Sequence, residues 1–220
     1  MYFILTDIND MCYYYQYKTL KSIRVNSGLN DINIIGLYLI FKNPFHKQYN
    51  YLRVVNAPNN NTSCYNDRNE FVDGVLLGSS VILSDRYYLY DPITIKKFKI
   101  KVDKEFVGCA CADGAVKFLE WWKNSCHPLE YDESALTLAS SYNQVEVLDW
   151  WLKSNLPLKY DETALNIASV YGNINVLDWW LKSKLPLKYS LSVISRVSRD
   201  GHISFSSEKW WKNSGLPLKY

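Results

Sequence analysis

At 220 residues and 25.7 kDa the chain can form one large domain or two modest ones. With 48% hydrophobic and 21% charged residues it is not a disordered chain, and a net charge of +3 is too small to argue for nucleic acid. The longest apolar run, Ile34–Phe41, falls short of the ~18 residues of a membrane span, and Asp7 and Asp10 break an N-terminus with no basic segment, so neither an anchor nor a signal peptide is expected.

Residues 1–100 read as a small α+β N-terminal domain of mixed strand and loop. Strands are predicted over Ile34–Phe41, Tyr51–Asn56 and Val75–Leu83, and a loop over Asn56–Asn61. Lys96, Lys97, Lys99, Lys101 and Lys104 form a basic run at the domain junction, which a solvated face explains as well as an acidic partner does. Cys12, Cys64, Cys109, Cys111 and Cys126 make an odd count without a CxxC spacing. They read as reduced thiols of an intracellular chain.

Residues 101–220 carry an internal repeat. Trp-Trp pairs fall at Trp121-Trp122, Trp150-Trp151, Trp179-Trp180 and Trp210-Trp211, at intervals of 29, 29 and 31 residues. Pro128, Pro157, Pro186 and Pro217 keep step, as do Tyr131, Tyr160, Tyr189 and Tyr220. The units are therefore 103–131, 132–160, 161–189 and 190–220. In the third, an apolar pattern predicts a helix from Thr163 to Ser169 and a turn at Tyr171-Gly172-Asn173. A second helix then carries Ile174, Leu177, Trp180 and Leu181 on one face, and Pro186 stops it. A unit this small cannot bury its own apolar face, so the units are expected to stack, with Leu136, Leu148, Leu165 and Leu177 inside. Ala110, Ala139 and Ala168 would let neighbouring first helices approach closely. The last unit is eroded: Arg196 stands where Cys109, Leu138 and Ile167 stand, and two residues are inserted near Ser206-Ser207. The expectation is a loosely docked, improvised cap.

The pattern resembles the ankyrin repeat. Ala135-Leu136 and Ala164-Leu165 stand where that family has Pro-Leu, and Ala139-Ser140 and Ala168-Ser169 where it has Ala-Ala. Gly172-Asn173-Ile174-Asn175-Val176 parallels its Gly-His-Leu-Glu-Val turn, and Gly201-His202-Ile203 is closer still. The period of 29 is shorter than the family's ~33, which implies a shortened or missing β-hairpin finger. In the first hundred residues Gly36-Leu37-Tyr38, Leu52-Arg53-Val54-Val55, Val75-Leu76-Leu77-Gly78 and Tyr88-Leu89-Tyr90-Asp91-Pro92-Ile93-Thr94 follow in an order similar to the ankyrin repeat proteins of giant, mimivirus-like amoeba-infecting viruses. That resemblance implies interaction proteins acting in an infected host cell.

Catalysis has no foothold in the motifs. GxSxG, Walker, HExxH and kinase signatures are missing, and His46, His127 and His202 have no ligand-spaced neighbours. Cys109 and Cys111 read as structural thiols. Asp132-Glu133 and Asp161-Glu162 open helices, where the dipole favours them. Trp122, Trp151 and Trp180 share a stripe with Leu119, Leu148 and Leu177 and are expected in the core. Trp121, Trp150 and Trp179 lie at the stripe edge, where they either pack between units or form an exposed aromatic binding ladder.

Positions that vary within the fixed frame are the other candidates: Gly108, Thr137 and Asn166; Ala112, Ser141 and Val170; and Asp113, Tyr142 and Tyr171. The candidate protein-binding residues are thus Thr137, Ser141, Tyr142, Asn166, Val170, Tyr171, Trp150 and Trp179. The expected fold class is mainly α, an ankyrin-like helix-turn-helix array of about four units behind the α+β domain. The expected function is non-catalytic binding of a host or viral protein in the host cytoplasm, with no cofactor, metal, nucleic acid or membrane. One rival is a substrate adapter for a host ubiquitin ligase, which would need an F-box-like segment. A second is an enzyme housed in residues 1–100. A third is a decaying or split family member, whose further repeats would lie beyond Tyr220.

Overall fold

The computed structural model describes residues 2–6, 11–12, 15–16, 22–24, 34–35, 50–56, 75–76, 80–190 and 205–217. The chain divides into two compact units, Met1–Lys101 and Val102–Tyr220. It is mainly helical, with eight helices among the described residues. None of these helices is long and apolar enough to cross a membrane.

The first unit holds an antiparallel sheet. Its strands are β1 (Tyr2–Thr6), β4 (Ser22–Arg24), β5 (Ile34–Ile35), β6 (Tyr51–Asn56), β7 (Val75–Leu76), β8 (Ser80–Leu83) and β9 (Tyr87–Tyr88). The order is β4-β8-β6-β1-β5-β7, with β9 also on β6; β2 (Met11–Cys12) and β3 (Tyr15–Gln16) pair separately. The longest register runs from Tyr2 opposite Val55 to Thr6 opposite Tyr51. The strand expected at Tyr51–Asn56 forms over those residues, and Val75–Leu83 gives β7 and β8. Of Ile34–Phe41 only Ile34–Ile35 is described, and the loop expected after Asn56 lies outside the described residues. Helix α1 (Pro92–Phe98) was not foreseen. Proline at its first turn and the Asp91 carboxylate, accepting from Ile93 N at 3.1 Å, open it, and Lys99 at φ 52° closes it.

The second unit is built from helix pairs. The first helices are α2 (Lys104–Ala112), α4 (Ser134–Ser141) and α6 (Thr163–Tyr171). The second helices are α3 (Val116–Lys123), α5 (Val145–Lys153), α7 (Ile174–Lys182) and α8 (Phe205–Asn213). Within each pair the helices pack together; α2, α4 and α6 form one row, and α3, α5, α7 and α8 a second. Residues 191–204, with Arg196 and Gly201-His202-Ile203, lie outside the described residues.

Local chemistry sets each boundary. Asp103 caps α2, its carboxylate accepting from Phe106 N at 3.1 Å. Asp132 and Asp161, one residue before the caps Glu133 and Glu162, accept from Ser134 N (3.0 Å) and Thr163 N (2.8 Å) as the chain enters α4 and α6. Gly114, Asn143 and Gly172 turn the chain between paired helices at φ 72°, 57° and 71°, a region open to glycine and tolerated by asparagine. The second helices end in a recurring serine: Ser125, Ser154, Ser183 and Ser214 each donate to the carbonyl three residues back, at 2.7–2.8 Å. Each also accepts from the N–H two residues ahead, at 3.1–3.2 Å. That closure satisfies helix-end carbonyls before the proline loop begins.

The core repeats with the sequence. Leu119, Leu136, Leu148, Leu165 and Leu177 are fully buried, as are Trp122, Trp151 and Trp180. Ala110, Ala139 and Ala168 are buried with them between first helices. At Gly108 an added Cβ would lie 3.0 Å from Leu138 Cδ1, so α2 and α4 touch where one of them lacks a side chain.

Candidate interaction surface

The tryptophans belong to the frame of the array. Trp151 Nε1 donates to Cys111 Sγ at 3.3 Å, Trp180 Nε1 to Ser140 Oγ at 3.1 Å and Trp211 Nε1 to Ser169 Oγ at 2.9 Å. Each bond reaches from a second helix to the first helix of the preceding unit. Trp122, with no such acceptor, donates to its own unit's Pro128 carbonyl at 3.3 Å.

The other ring of each pair makes a parallel series. Trp150 Nε1 donates to Glu120 Oε2 at 2.8 Å, Trp179 Nε1 to Asp149 Oδ1 at 2.7 Å and Trp210 Nε1 to Asp178 Oδ1 at 2.6 Å. Trp150 and Trp179 are only 9% exposed. Of the two alternatives for the first ring, packing between units and an exposed ladder, these two take the first: each is covered along the inter-unit seam with its N–H on a carboxylate of the preceding second helix. The aromatic stacking runs through the second rings, with Tyr131 4.8 Å from Trp151, Tyr160 5.0 Å from Trp180 and Tyr189 5.0 Å from Trp211.

The loops lock the same seams. Tyr131 and Tyr160 donate their hydroxyls to the carbonyls of Pro157 (2.9 Å) and Pro186 (3.0 Å). Lys159 and Lys188 reach back to the carbonyls of Tyr131 (2.9 Å) and Tyr160 (3.0 Å) and lie over those rings. Asn166 is also buried, its Oδ1 accepting from Ser190 N at 3.1 Å, so it is not a surface residue.

What remains at the surface is the turn edge. Ser141 and Tyr142 end α4, and Val170 and Tyr171 end α6; Thr137 sits half-buried one turn inside α4. Ser141, Tyr142 and Val170 are half-buried, and Tyr171 is 61% exposed. Burial first, then the neighbouring Tyr171, Asp113 and Cys109, raise the Tyr142 hydroxyl above its usual range. The charges of three successive units therefore act on this one hydroxyl. Among residues 112–116, 141–145 and 170–174 only Asp113 is charged. The edge is also stiff. Gln144 Nε2 donates to the Ala112 carbonyl, and Asn173 Nδ2 to the Ser140 and Ser141 carbonyls, each at 2.8 Å.

No family model, curated protein or solved structure matches this chain.

Burial pushes the Cys109 and Cys111 thiols up to about 12, so both stay protonated at neutral pH and neither is poised as a nucleophile. Among the described residues no group of His, Cys, Asp and Glu is placed to hold a metal ion. The sequence marks Ser140 and Ser169 only as repeat positions and not as indole acceptors, and it does not single out the carboxylates Glu120, Asp149 and Asp178 or the closing serines. Each recurs with the Trp pairs in the sequence, so the period itself held the missing signal.

Proposed function

We propose that the helix-pair array is an ankyrin-like scaffold that binds a protein partner, host or viral, through its tyrosine-bearing turn edge. The carrying observation is the pair Tyr142 and Tyr171, which hold the same register at the ends of successive first helices. Two aromatic side chains, with Asp113, Ser141 and Val170 around them, lie at the ends of packed helices and on a nearly uncharged strip. Tyrosine offers apolar area and a hydroxyl at low entropy cost, and the Gln144 and Asn173 amides hold the edge in place before any partner arrives. Position-to-position variation on this strip, against a constant frame of Trp, Leu and Pro, is the chemistry by which repeat arrays acquire partners. The ankyrin reading, the viral source and the host cytoplasm rest on the sequence resemblance.

The test is affinity purification of the tagged chain from infected amoebae, beside a Tyr142→Ala/Tyr171→Ala variant. A stoichiometric partner recovered with the native chain and lost with the variant is the expected result. An unchanged set of recovered proteins would overturn the assignment of this edge.

A further inference from the structure

Helix α1 divides by face. Thr94 and Ile95 are buried and Phe98 is half-buried, while Ile93, Lys96 and Lys97 share the opposite, exposed side at i, i+3 and i+4. Lys99 and Lys101 follow, both exposed, and no acid stands between Pro92 and Val102. From the sequence, a solvated face explains this lysine run as well as an acidic partner does.

Two observations separate those readings. Ile93 is 73% exposed, the most exposed large apolar side chain among the described residues, and it sits between Lys96 and Lys97 on the helix face. A solvated lysine face alone does not account for an isoleucine at its centre. The charge is also left standing. Lys96 and Lys99 make no ion pair among the described residues, and Lys97 meets only neutral groups, donating to the Tyr87 hydroxyl at 2.8 Å with its ammonium 4.1 Å from that ring. Over residues 85–101 five cations stand against Asp85 and Asp91, and Asp91 is committed to capping α1.

We propose that this face of α1 rests on an anionic membrane surface, with the lysines among the headgroups and Ile93 entering the acyl boundary between them. A nucleic-acid backbone would satisfy the lysines but leave Ile93 in water. A bilayer interface takes both, because lysine stems lie along its apolar side while their ammonium groups stay with the headgroups. The contact is peripheral, since no described helix is long and apolar enough to cross a membrane. With a few lysines and one isoleucine it is weak and reversible, and it strengthens with the anionic content of the leaflet. It lies within the first unit and depends on neither the tyrosine edge nor the stacking of the helix pairs, so either proposal can fail without the other.

Cosedimentation of the full chain with lipid vesicles tests this. Binding is expected to vesicles of about one-third phosphatidylserine in phosphatidylcholine and not to phosphatidylcholine alone, and it should fall as salt is raised. Lys96→Glu with Lys99→Glu should weaken it about tenfold or more. Ile93→Ser should weaken it severalfold, and neither variant should shift the thermal melt, because all three side chains are exposed. No preference for phosphatidylserine, or a preference that survives the lysine reversal or Ile93→Ser, would overturn the proposal. So would a single-stranded oligonucleotide that binds through the same lysines while the vesicles do not.

Discussion

A single buried acceptor under each inter-unit tryptophan explains why Cys111, Ser140 and Ser169 recur in one register. An indole N–H taken from water without a partner is costly, and each of these atoms supplies the partner. Sulfur is the weakest acceptor of the three, and its 3.3 Å contact is the longest. Cys111→Val keeps the volume but orphans the Trp151 N–H, so it should lower stability by about 1–3 kcal/mol in urea unfolding. Cys111→Ser copies the later units and should lose far less. Equal losses for the two would mean that packing, and not the hydrogen bond, selects the residue here.

Between helices the carboxylate–indole contacts are the polar counterpart of the leucine stripe. Glu120 joins α3 to α5, and its bonds from the Trp150 indole and the Asn124 amide hold its carboxyl below the usual glutamate range. A carboxyl whose folded-state pKa is lowered contributes stability that is fully present above its unfolded value, about 4.3, and is lost as pH falls through the folded value. Acid should therefore loosen the α3–α5 seam. Glu120→Gln should flatten that part of the stability–pH curve below about pH 4.3 in thermal melts at stepped pH; an unchanged acid limb would mean that the bond adds nothing to folding.

The helices themselves were legible in residues 101–220, because leucines and tryptophans at helical spacing, a Gly-Asn turn and a stopping proline are local signals. Thr163 does begin a helix, and Ile174 begins the next, although α6 runs on to Tyr171. The inter-unit partners of the tryptophans were not legible, since each of those hydrogen bonds spans 30 to 42 residues and joins side chains that only stacking brings together. That is also why the sequence left Trp150 and Trp179 between packing and exposure and offered Asn166 as a surface candidate, while all three are buried in the fold. In the first unit α1 escaped notice because its seven residues are too few to show a helical period, and β1 because its pairing with β6 is set 45 or more residues away. Of the candidate site, Ser141, Tyr142, Val170 and Tyr171 come together because they share a register at the ends of packed helices; that much the period could reveal.

For the whole Val102–Tyr220 unit, the consequence is a stack in which each pair completes its neighbour. The first-helix acceptors, second-helix donors and loop tyrosines all act across units, so a helix pair alone would leave indoles and carbonyls without partners. Stability then comes from nearest-neighbour junctions, as in other one-dimensional arrays. The tyrosine edge inherits its rigidity from those junctions, which ties the proposed binding to the stacking. Hydrogen exchange of the full chain with and without Ser140→Ala tests this most directly, because Ser140 lies on α4 while the indole it serves lies on α7. Faster exchange in both 134–153 and 163–182 is the expected result; acceleration confined to 134–153, with 163–182 unchanged, would contradict a stack held together across its units.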